Sequence, residues 1–185
     1  MRLRRGLPSL RYKPLSRVVL AAFHAARERL GARLVHFSVQ SNHIHLILEA
    51  AGQRALSRAL QGLAVRIARR LNERLGARGS VFADRYHAHV LRTPREVRHA
   101  LAYVLHNHKH HVSGGGRAAP MDPLSSAAYF DGFAHRTRTA AARPPSLPLV
   151  VPPKTWLLGV GWRRWGLIRV DERPGTSRRV VVRDA

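Results

Sequence analysis

Two neighbouring stretches of the chain alternate between hydrophobic and polar residues, a pattern typical of half-buried β-strands. The first stretch, Leu34–Gln40, places Val35, Phe37 and Val39 on one face and His36, Ser38 and Gln40 on the other. The second, His43–Glu49, places Ile44, Leu46 and Leu48 opposite His43, His45 and Ile47. Only Ser41 and Asn42 separate the two stretches, so together they predict a β-hairpin.

Three other stretches repeat hydrophobic residues at helical spacing. The first runs from Ser16, as its cap, to about Leu30, where Gly31 ends it. The second, Arg54–Leu75, carries the clearest stripe, formed by Leu56, Leu60, Leu63, Ile67, Leu71 and Leu75. The third runs from Thr93 to about His111. Its opening Thr93-Pro94-Arg95-Glu96 combines a threonine cap, a proline at the first helical position and the glutamate of a capping box.

Two further stretches, Met1–Arg5 and Ser80–Leu91, are predicted strands. The order β-α-β-β-α-β followed by one more helix favours an α+β fold of the ferredoxin-like type. In this fold a mostly antiparallel sheet carries helices on one face, here with an additional helix. Residues 1–111 form the predicted domain. Residues 112–185 are predicted to be a Pro- and Gly-rich C-terminal extension with a Trp-rich helical segment at residues 154–170.

The composition narrows the function. The 185 residues carry a net charge of +23, and such a surplus repels itself unless a polyanion such as nucleic acid is the partner. The absence of cysteine excludes disulfides, thiolate zinc sites and cysteine nucleophiles. No apolar run approaches the roughly 18 residues of a membrane span, and no secretory signal follows the basic start. We therefore expect a cytoplasmic, nucleoid-associated protein.

Two pairs of residues stand out as candidate chemistry. His43 and His45 lie two apart on a predicted strand, so both imidazoles project from one face and could bind one divalent ion. Tyr103 and Asn107 lie four apart on the last helix and share a face away from its apolar stripe. Each pair alone could equally consist of surface side chains that have no metal-binding or catalytic role. Together they indicate a metal held by two histidines and a carboxamide beside a tyrosine nucleophile.

The chain resembles the single-tyrosine HUH transposases, named for a His-hydrophobic-His motif, and among them the REP-associated tyrosine transposase group. The matching stretches are LVHFSVQSNHIHLILE (Leu34–Glu49), GSVFADRYHAHVL (Gly79–Leu91) and TPREVRHALAYVLHNHKHH (Thr93–His111). Relatives often have Gln where Asn107 stands. They also usually carry a longer N-terminal segment that completes the first strand, so a short first strand is expected here.

The resemblance implies that His43, His45 and Asn107 bind the metal, either magnesium or manganese, and that Tyr103 is the nucleophile. It implies a DNA transposase and single-strand endonuclease that cleaves and rejoins DNA at hairpins of palindromic repeats through a 5′-phosphotyrosine intermediate. The predicted DNA-contacting residues are Gln40, Arg58, Arg66, Arg69, Arg70, Arg85, Arg95 and Arg98. His36 and Ser38 share the register of Gln40 and are expected to line the open face with it. A homodimer and a monomer both remain open.

Other interpretations compete with this one. His87-Ala88-His89, beside Tyr86 on a predicted strand, is a second candidate metal pair. A histidine cluster at the end of the last helix could bind zinc or face DNA; its members are His106, His108, His110 and His111. A nuclease site of three acids lacks a third partner for Asp84 and Glu49. The alternative function is a noncatalytic nucleic-acid-binding module, either truncated or a domesticated hairpin binder.

The Trp-rich segment also allows two interpretations. Its Trp156, Trp162 and Trp165, together with Arg163 and Arg164, combine the aromatic surfaces and cations that contact single-stranded DNA. The favoured interpretation is a latch, in which a short helix docks Trp156, Leu157 and Val160 onto the domain.

Overall fold

The centre of the protein is a three-stranded antiparallel sheet in the order β1-β2-β3. The computed structural model describes residues 1–29, 31–111, 121–134 and 148–173, without the side chains of residues 110 and 111. The strands are β1 (Glu28–Arg29), β2 (Ala32–Val39) and β3 (Ile44–Ala50). The predicted hairpin is confirmed, because Val39 pairs with Ile44 and Ser38 pairs with His45 across β2 and β3.

Short bridges extend this sheet beyond β3. The N-terminal ammonium donates to the Ile44 carbonyl at 2.9 Å, and the Ile44 amide donates back to the Met1 carbonyl at 2.8 Å. Arg2 forms a bridge with His43, and Leu3 forms one with Phe82. The expected short first strand therefore lies between β3 and the segment around Phe82.

The prediction of a strand over Ser80–Leu91 is wrong. Within this range only Phe82 forms a bridge, and residues 83–91 have no regular structure. The neighbouring N-terminal segment turns away at Gly6, whose φ of 86° suits glycine, so the pairing edge ends there. The Tyr86 hydroxyl then donates to Ser57 Oγ at 2.9 Å, which holds the segment against the preceding helix.

Three long helices accompany the sheet: α1 (Lys13–Ala26), α2 (Gln53–Leu75) and α3 (Pro94–His106). The predicted Ser16 cap of α1 is wrong: Tyr12 occupies the cap position, and Ser16 Oγ donates to the Lys13 carbonyl inside the helix. The prediction that this helix runs to about Leu30 is also wrong, because α1 ends at Ala26 and Glu28–Arg29 form β1. Helix α2 has the predicted extent and ends at Gly76, which has a left-handed φ of 59°.

The predicted start of α3 is confirmed. Thr93 Oγ1 accepts from the Glu96 amide at 3.2 Å, while Glu96 Oε2 accepts from the Thr93 amide at 3.1 Å, which completes the capping box. Beyond the helix a 3-10 turn covers Asn107–His111. Because the cap fixes the first turn, it also fixes the rotational position of every later residue on α3.

The helices lie on both faces of the sheet, and each face has its own core cluster. Helices α1 and α2 cover the first core cluster, which includes Val19, Phe23, Phe37, Val39 and Ile67. Helix α3 covers the second core cluster, which includes Val35, Ile47, Leu101, Leu105 and Trp162. The fold is thus the predicted α+β sandwich, with the Tyr103 helix as the additional helix on the opposite face.

One strand residue faces the opposite way from its prediction. Val35 belongs to the second core cluster, whereas Phe37 and Val39 belong to the first. A register shift between Leu34 and His36 inserts one extra residue into β2 opposite β3. Such a bulge interrupts the alternation of a strand, so Val35 turns towards α3.

The described parts of the C-terminal extension pack onto the domain. Trp162 is 1% exposed and stacks on Phe130 with ring centroids 5.5 Å apart. Gly132 allows this approach, because a Cβ atom there would lie 2.4 Å from the Trp162 ring. Leu158 and Ile168 complete the docked surface.

The latch interpretation of the Trp-rich segment is therefore right in kind but wrong in its residues. Trp156 and Val160 are 56% and 53% exposed, and only Leu157 of the predicted trio packs against the core. The reason is local: α4 (Trp156–Gly159) is a single turn, and a 3-10 turn over Gly161–Trp165 follows it. Helical spacing across residues 156–165 therefore does not define one face.

Two sets of polar contacts help to fasten the extension to the domain. Arg11 donates two hydrogen bonds, each of 2.8 Å, to the buried carboxylate of Asp122, which raises the pKa of the arginine. Glu49 accepts hydrogen bonds from the Lys154 and Thr155 amides at 2.7 and 2.8 Å.

None of the described helices combines the length and hydrophobicity needed to cross a bilayer.

Candidate functional site

The two histidines of the His-x-His motif lie together at the start of β3. Their ring centroids are 4.6 Å apart, and the rings are nearly perpendicular. His43 Nδ1 is 2.8 Å from Asn42 Oδ1. Because an amide oxygen can only accept, Nδ1 carries the proton and Nε2 is the basic nitrogen of the neutral ring. In this tautomer Nε2 is the nitrogen that could bind a metal ion.

Helix α3 brings Tyr103 to this pair. The rings of His45 and Tyr103 meet edge to face with centroids 5.1 Å apart. The contact arises because α3 packs on the face of β2 and β3 from which His45 projects. One chain therefore supplies both the histidine pair and the tyrosine.

Asn107 lies one helical turn beyond Tyr103 and faces the same side of the helix. It is 2% exposed, and its buried Oδ1 has no hydrogen-bond partner within the described part of the chain. An unsatisfied buried acceptor destabilises a fold by roughly 1–3 kcal/mol, so such an atom calls for a functional explanation. A carboxamide oxygen is a suitable ligand for magnesium or manganese.

The other side chains that commonly bind metals limit which residue could be the third ligand. Among the described residues, no group of three His, Cys, Asp or Glu side chains could hold a metal ion. A site built on His43 and His45 therefore needs a third donor of another kind. The residues present fit a hard divalent ion held by two imidazoles and the Asn107 carboxamide.

The remaining polar residues of β2 are buried, contrary to the expectation of an open face. His36 Nδ1 is 3.1 Å from Ser126 Oγ, and its ring meets Phe130 edge to face at 5.4 Å. Gln40 is 2% exposed and donates to Ser38 Oγ at 2.6 Å. Ser126 and Phe130 of the described segment 121–134 thus cover His36, and Ser125 forms a bridge with Ser38. The expectation that His36, Ser38 and Gln40 line an open face is therefore wrong, and this conformation keeps Gln40 away from a DNA surface.

The burial of His36 has a measurable consequence for stability. Burial lowers the pKa of His36 from 6.5 to about 4. The folded protein keeps the ring neutral down to about pH 4, whereas the unfolded chain takes up a proton from about pH 6.5. Stability is therefore full above pH 6.5 and falls as the pH drops towards 4, by up to about 3 kcal/mol.

Urea unfolding at pH 7 and at pH 4.5 measures this loss. The variant His36→Gln should show a smaller difference between the two pH values than the parent protein. Part of the pH dependence should survive, because burial also lowers the pKa of His106 to about 4. An equal slope in parent and variant would contradict the assignment to His36.

The competing histidines do not form a comparable site. His87 and His89 are exposed on the irregular segment rather than on a strand, so no pleat fixes them on one face. His106 is 1% exposed, and its Nε2 donates to the Arg169 carbonyl at 3.0 Å. It is thus a core residue, and the prediction that the whole cluster faces DNA is wrong. The side chains of His110 and His111 lie outside the described residues.

The predicted DNA-contacting arginines fall into two groups. Arg58, Arg69, Arg70, Arg85 and Arg95 are exposed and Arg66 is half-buried; none of them pairs with a described carboxylate. Arg98 instead forms two hydrogen bonds with Glu172, at 2.7 and 2.9 Å, which raises the pKa of the arginine and lowers that of the carboxyl. Arg98 therefore holds the C-terminal extension, while the first group leaves a positively charged surface.

Asn42 is a site residue that the sequence reasoning did not identify. It was predicted as a turn residue and stands within a stretch that carries the resemblance, but no role was assigned to it; in the structure its side chain contacts the His43 ring. The signal was present in the order Asn42-His43, because an amide beside a ligand histidine can fix its tautomer. Glu49, weighed as a metal ligand, instead holds the backbone of the extension.

Residues 8–107, just over half of the chain, match the family model described as "Transposase IS200 like". The matched range contains His43, His45, Tyr103 and Asn107. No curated protein and no solved structure matches the chain.

Proposed function

Because the chain belongs to the family of IS200-like transposases, we propose that it cleaves and rejoins single-stranded DNA with Tyr103 as the nucleophile. Membership of the family assigns transposase function and DNA as the partner. The observation that carries the finer proposal is the edge-to-face contact of Tyr103 with His45, 5.1 Å between centroids, beside the paired histidine His43.

The metal is the first element of this proposal. His43, His45 and Asn107 would hold one magnesium or manganese ion. The ion would polarise a phosphate oxygen and stabilise the charge that develops on it. Asn42 keeps the basic nitrogen of His43 at Nε2, and the capping box of α3 keeps Asn107 and Tyr103 on the side of the helix that faces the sheet.

The second element is the transfer step. The Tyr103 hydroxyl loses its proton, and its oxygen attacks the phosphorus of a phosphodiester. The bond from phosphorus to the 3′ oxygen breaks, and that oxygen takes up a proton. The products are a 5′-phosphotyrosine and a free 3′-hydroxyl. A different 3′-hydroxyl reverses the step, so the bond energy is retained and no nucleotide triphosphate is consumed.

The third element is the substrate. The resemblance to the REP-associated group supports a hairpin formed by a palindromic repeat. The exposed arginines of α2 supply cations for its phosphates. Since one chain carries His43, His45, Tyr103 and Asn107, a monomer contains all the proposed chemistry. A noncatalytic hairpin binder is the second candidate, and the same positive surface would serve it.

Incubation with manganese and end-labelled hairpin DNA tests the proposal. We expect a protein–DNA adduct that survives denaturation, and its loss when EDTA is added. His43→Ala and His45→Ala should each lower the rate of adduct formation on the order of 100-fold, since each removes a ligand. Asn107→Ala should have a milder effect, because a carboxamide is the weakest of the three ligands.

His87→Ala and His89→Ala are the matched controls, because this exposed pair has the same His-x-His spacing. Both should retain the parental rate. Full cleavage in EDTA would exclude the metal, and hairpin binding without any adduct would favour the noncatalytic binder.

A further inference from the structure

Two large aromatic side chains of the C-terminal extension face solvent. Trp156 is 56% exposed and Trp165 is 54% exposed, whereas Trp162 between them is 1% exposed. Trp162 accounts for the docking of this segment onto the second core cluster. The two outer indoles lie outside that cluster, and exposed tryptophan commonly marks a binding surface.

Each exposed indole is accompanied by an arginine. Arg164 Cζ is 5.6 Å from the centroid of the Trp156 ring, and Arg95 Cζ is 5.3 Å from that of Trp165. Neither arginine forms an ion pair with a carboxylate in the described part of the chain. The surface thus offers aromatic faces and uncompensated positive charge side by side.

The indoles are also held in place. The Trp156 ring lies directly on Gly161, where an added Cβ would be 2.6 Å from it. Glu49 fixes the backbone just before Trp156. Beyond Trp165, Arg98 donates to the Gly166 and Leu167 carbonyls at 3.2 and 3.3 Å. Because these side chains are already held in place, binding costs them little conformational entropy, which favours affinity.

We propose that Trp156 and Trp165 form a stacking surface for unpaired bases of the DNA strand, with Arg164 and Arg95 contacting its phosphates. The proposal rests on the proposed function. Every base has an aromatic face, so stacking suits flanking nucleotides of any sequence, and neighbouring arginines follow the backbone. The chemistry selects single-stranded over duplex DNA, because paired bases do not expose their faces.

The position of this surface relates it to the reaction. Arg95 and Tyr103 lie on the same helix, eight residues apart, which is about 12 Å along its axis. About three to four stacked nucleotides span that distance at the rise of a DNA strand. The surface is therefore placed to hold nucleotides that flank the scissile phosphate.

Titration of the full-length protein with an unpaired oligothymidylate of about ten nucleotides tests the proposal. Fluorescence anisotropy of the labelled DNA gives the affinity, and indole fluorescence reports stacking as quenching. We expect Trp156→Ala and Trp165→Ala each to weaken binding about 5- to 100-fold. Arg164→Ala and Arg95→Ala should each reduce the salt dependence by about one phosphate contact.

Val160→Ala is the matched control, because Val160 lies between the two indoles, is 53% exposed and has no aromatic face. It should bind as the parent does. Equal affinity of all three variants for oligothymidylate would overturn the proposal, as would a loss of the same size in Val160→Ala. Neither result touches the proposed function, which fails only if the hairpin adduct does not form.

Discussion

We expect Tyr103→Phe to abolish the covalent adduct and strand cleavage while leaving hairpin binding nearly unchanged. The substitution removes one hydroxyl and keeps the ring that meets His45 at 5.1 Å. Without an oxygen nucleophile the transfer step cannot begin, so we expect a loss of at least about a thousandfold. Denaturing gels of the labelled hairpin measure the adduct, and a mobility shift measures binding.

Tyr86→Phe is the control for this result. Tyr86 lies beside the second His-x-His pair, and its hydroxyl donates to Ser57 Oγ on α2. It should form the adduct at the parental rate. The assignment of the nucleophile is wrong if Tyr86→Phe loses the adduct and Tyr103→Phe keeps it.

Trp162→Ala is the substitution that should cost the most stability. The ring is 1% exposed, stacks on Phe130 and lies within contact of Gly132. Truncation of a buried aromatic side chain costs about 3–5 kcal/mol. For a chain of this size each kcal/mol lowers the Tm by about 2–4 °C. We therefore expect a fall of roughly 10 °C, measured by thermal unfolding at pH 7.

Trp165→Ala is the control, because it removes an exposed indole where Trp162→Ala removes a buried one. Trp165 is 54% exposed, so its removal should change the Tm by only about 1–2 °C. Similar melting temperatures for Trp162→Ala and the parent protein would mean that the extension does not stabilise the domain. That result would also remove the physical basis of the latch.

The elements that local pattern determines were predictable. The hairpin of β2 and β3, helix α2 and the capping box of α3 depend on periodicity and on residues a few positions apart. The site followed from the same local rules, because His43 and His45 share a strand face and Tyr103 and Asn107 share a helix face. That the two faces meet is a tertiary fact, which only the resemblance to a family anticipated.

The errors share a different cause. The prediction of a strand over Ser80–Leu91 was wrong because the N-terminal segment that would pair with it turns away at Gly6. The hydrophobic pattern of residues 80–91 carries no sign of that turn. The position of Val35 depends on a bulge opposite β3, and the burial of His36 depends on contacts with Ser126 and Phe130. In each case a contact distant in sequence overrode a local preference. The boundary at residue 111 stays a prediction.

The hydrogen bonds that Glu49 accepts from the C-terminal extension imply an order in which parts of the molecule fold during synthesis. Glu49 accepts a hydrogen bond from the Thr155 amide, 106 positions further along the chain, and Arg11 donates to Asp122, 111 positions away. A growing chain adds about 5–20 residues per second, and 80 residues (155 − 75) separate Leu75 at the end of α2 from Thr155, so α1 and α2 are synthesised roughly 4–16 s before the Thr155 contact can form. Leu149 also belongs to the first core cluster, so that cluster is completed only when the extension docks. We therefore expect nascent chains to form the packing between α1 and α2 before the face that carries His45 and Tyr103 is fully ordered.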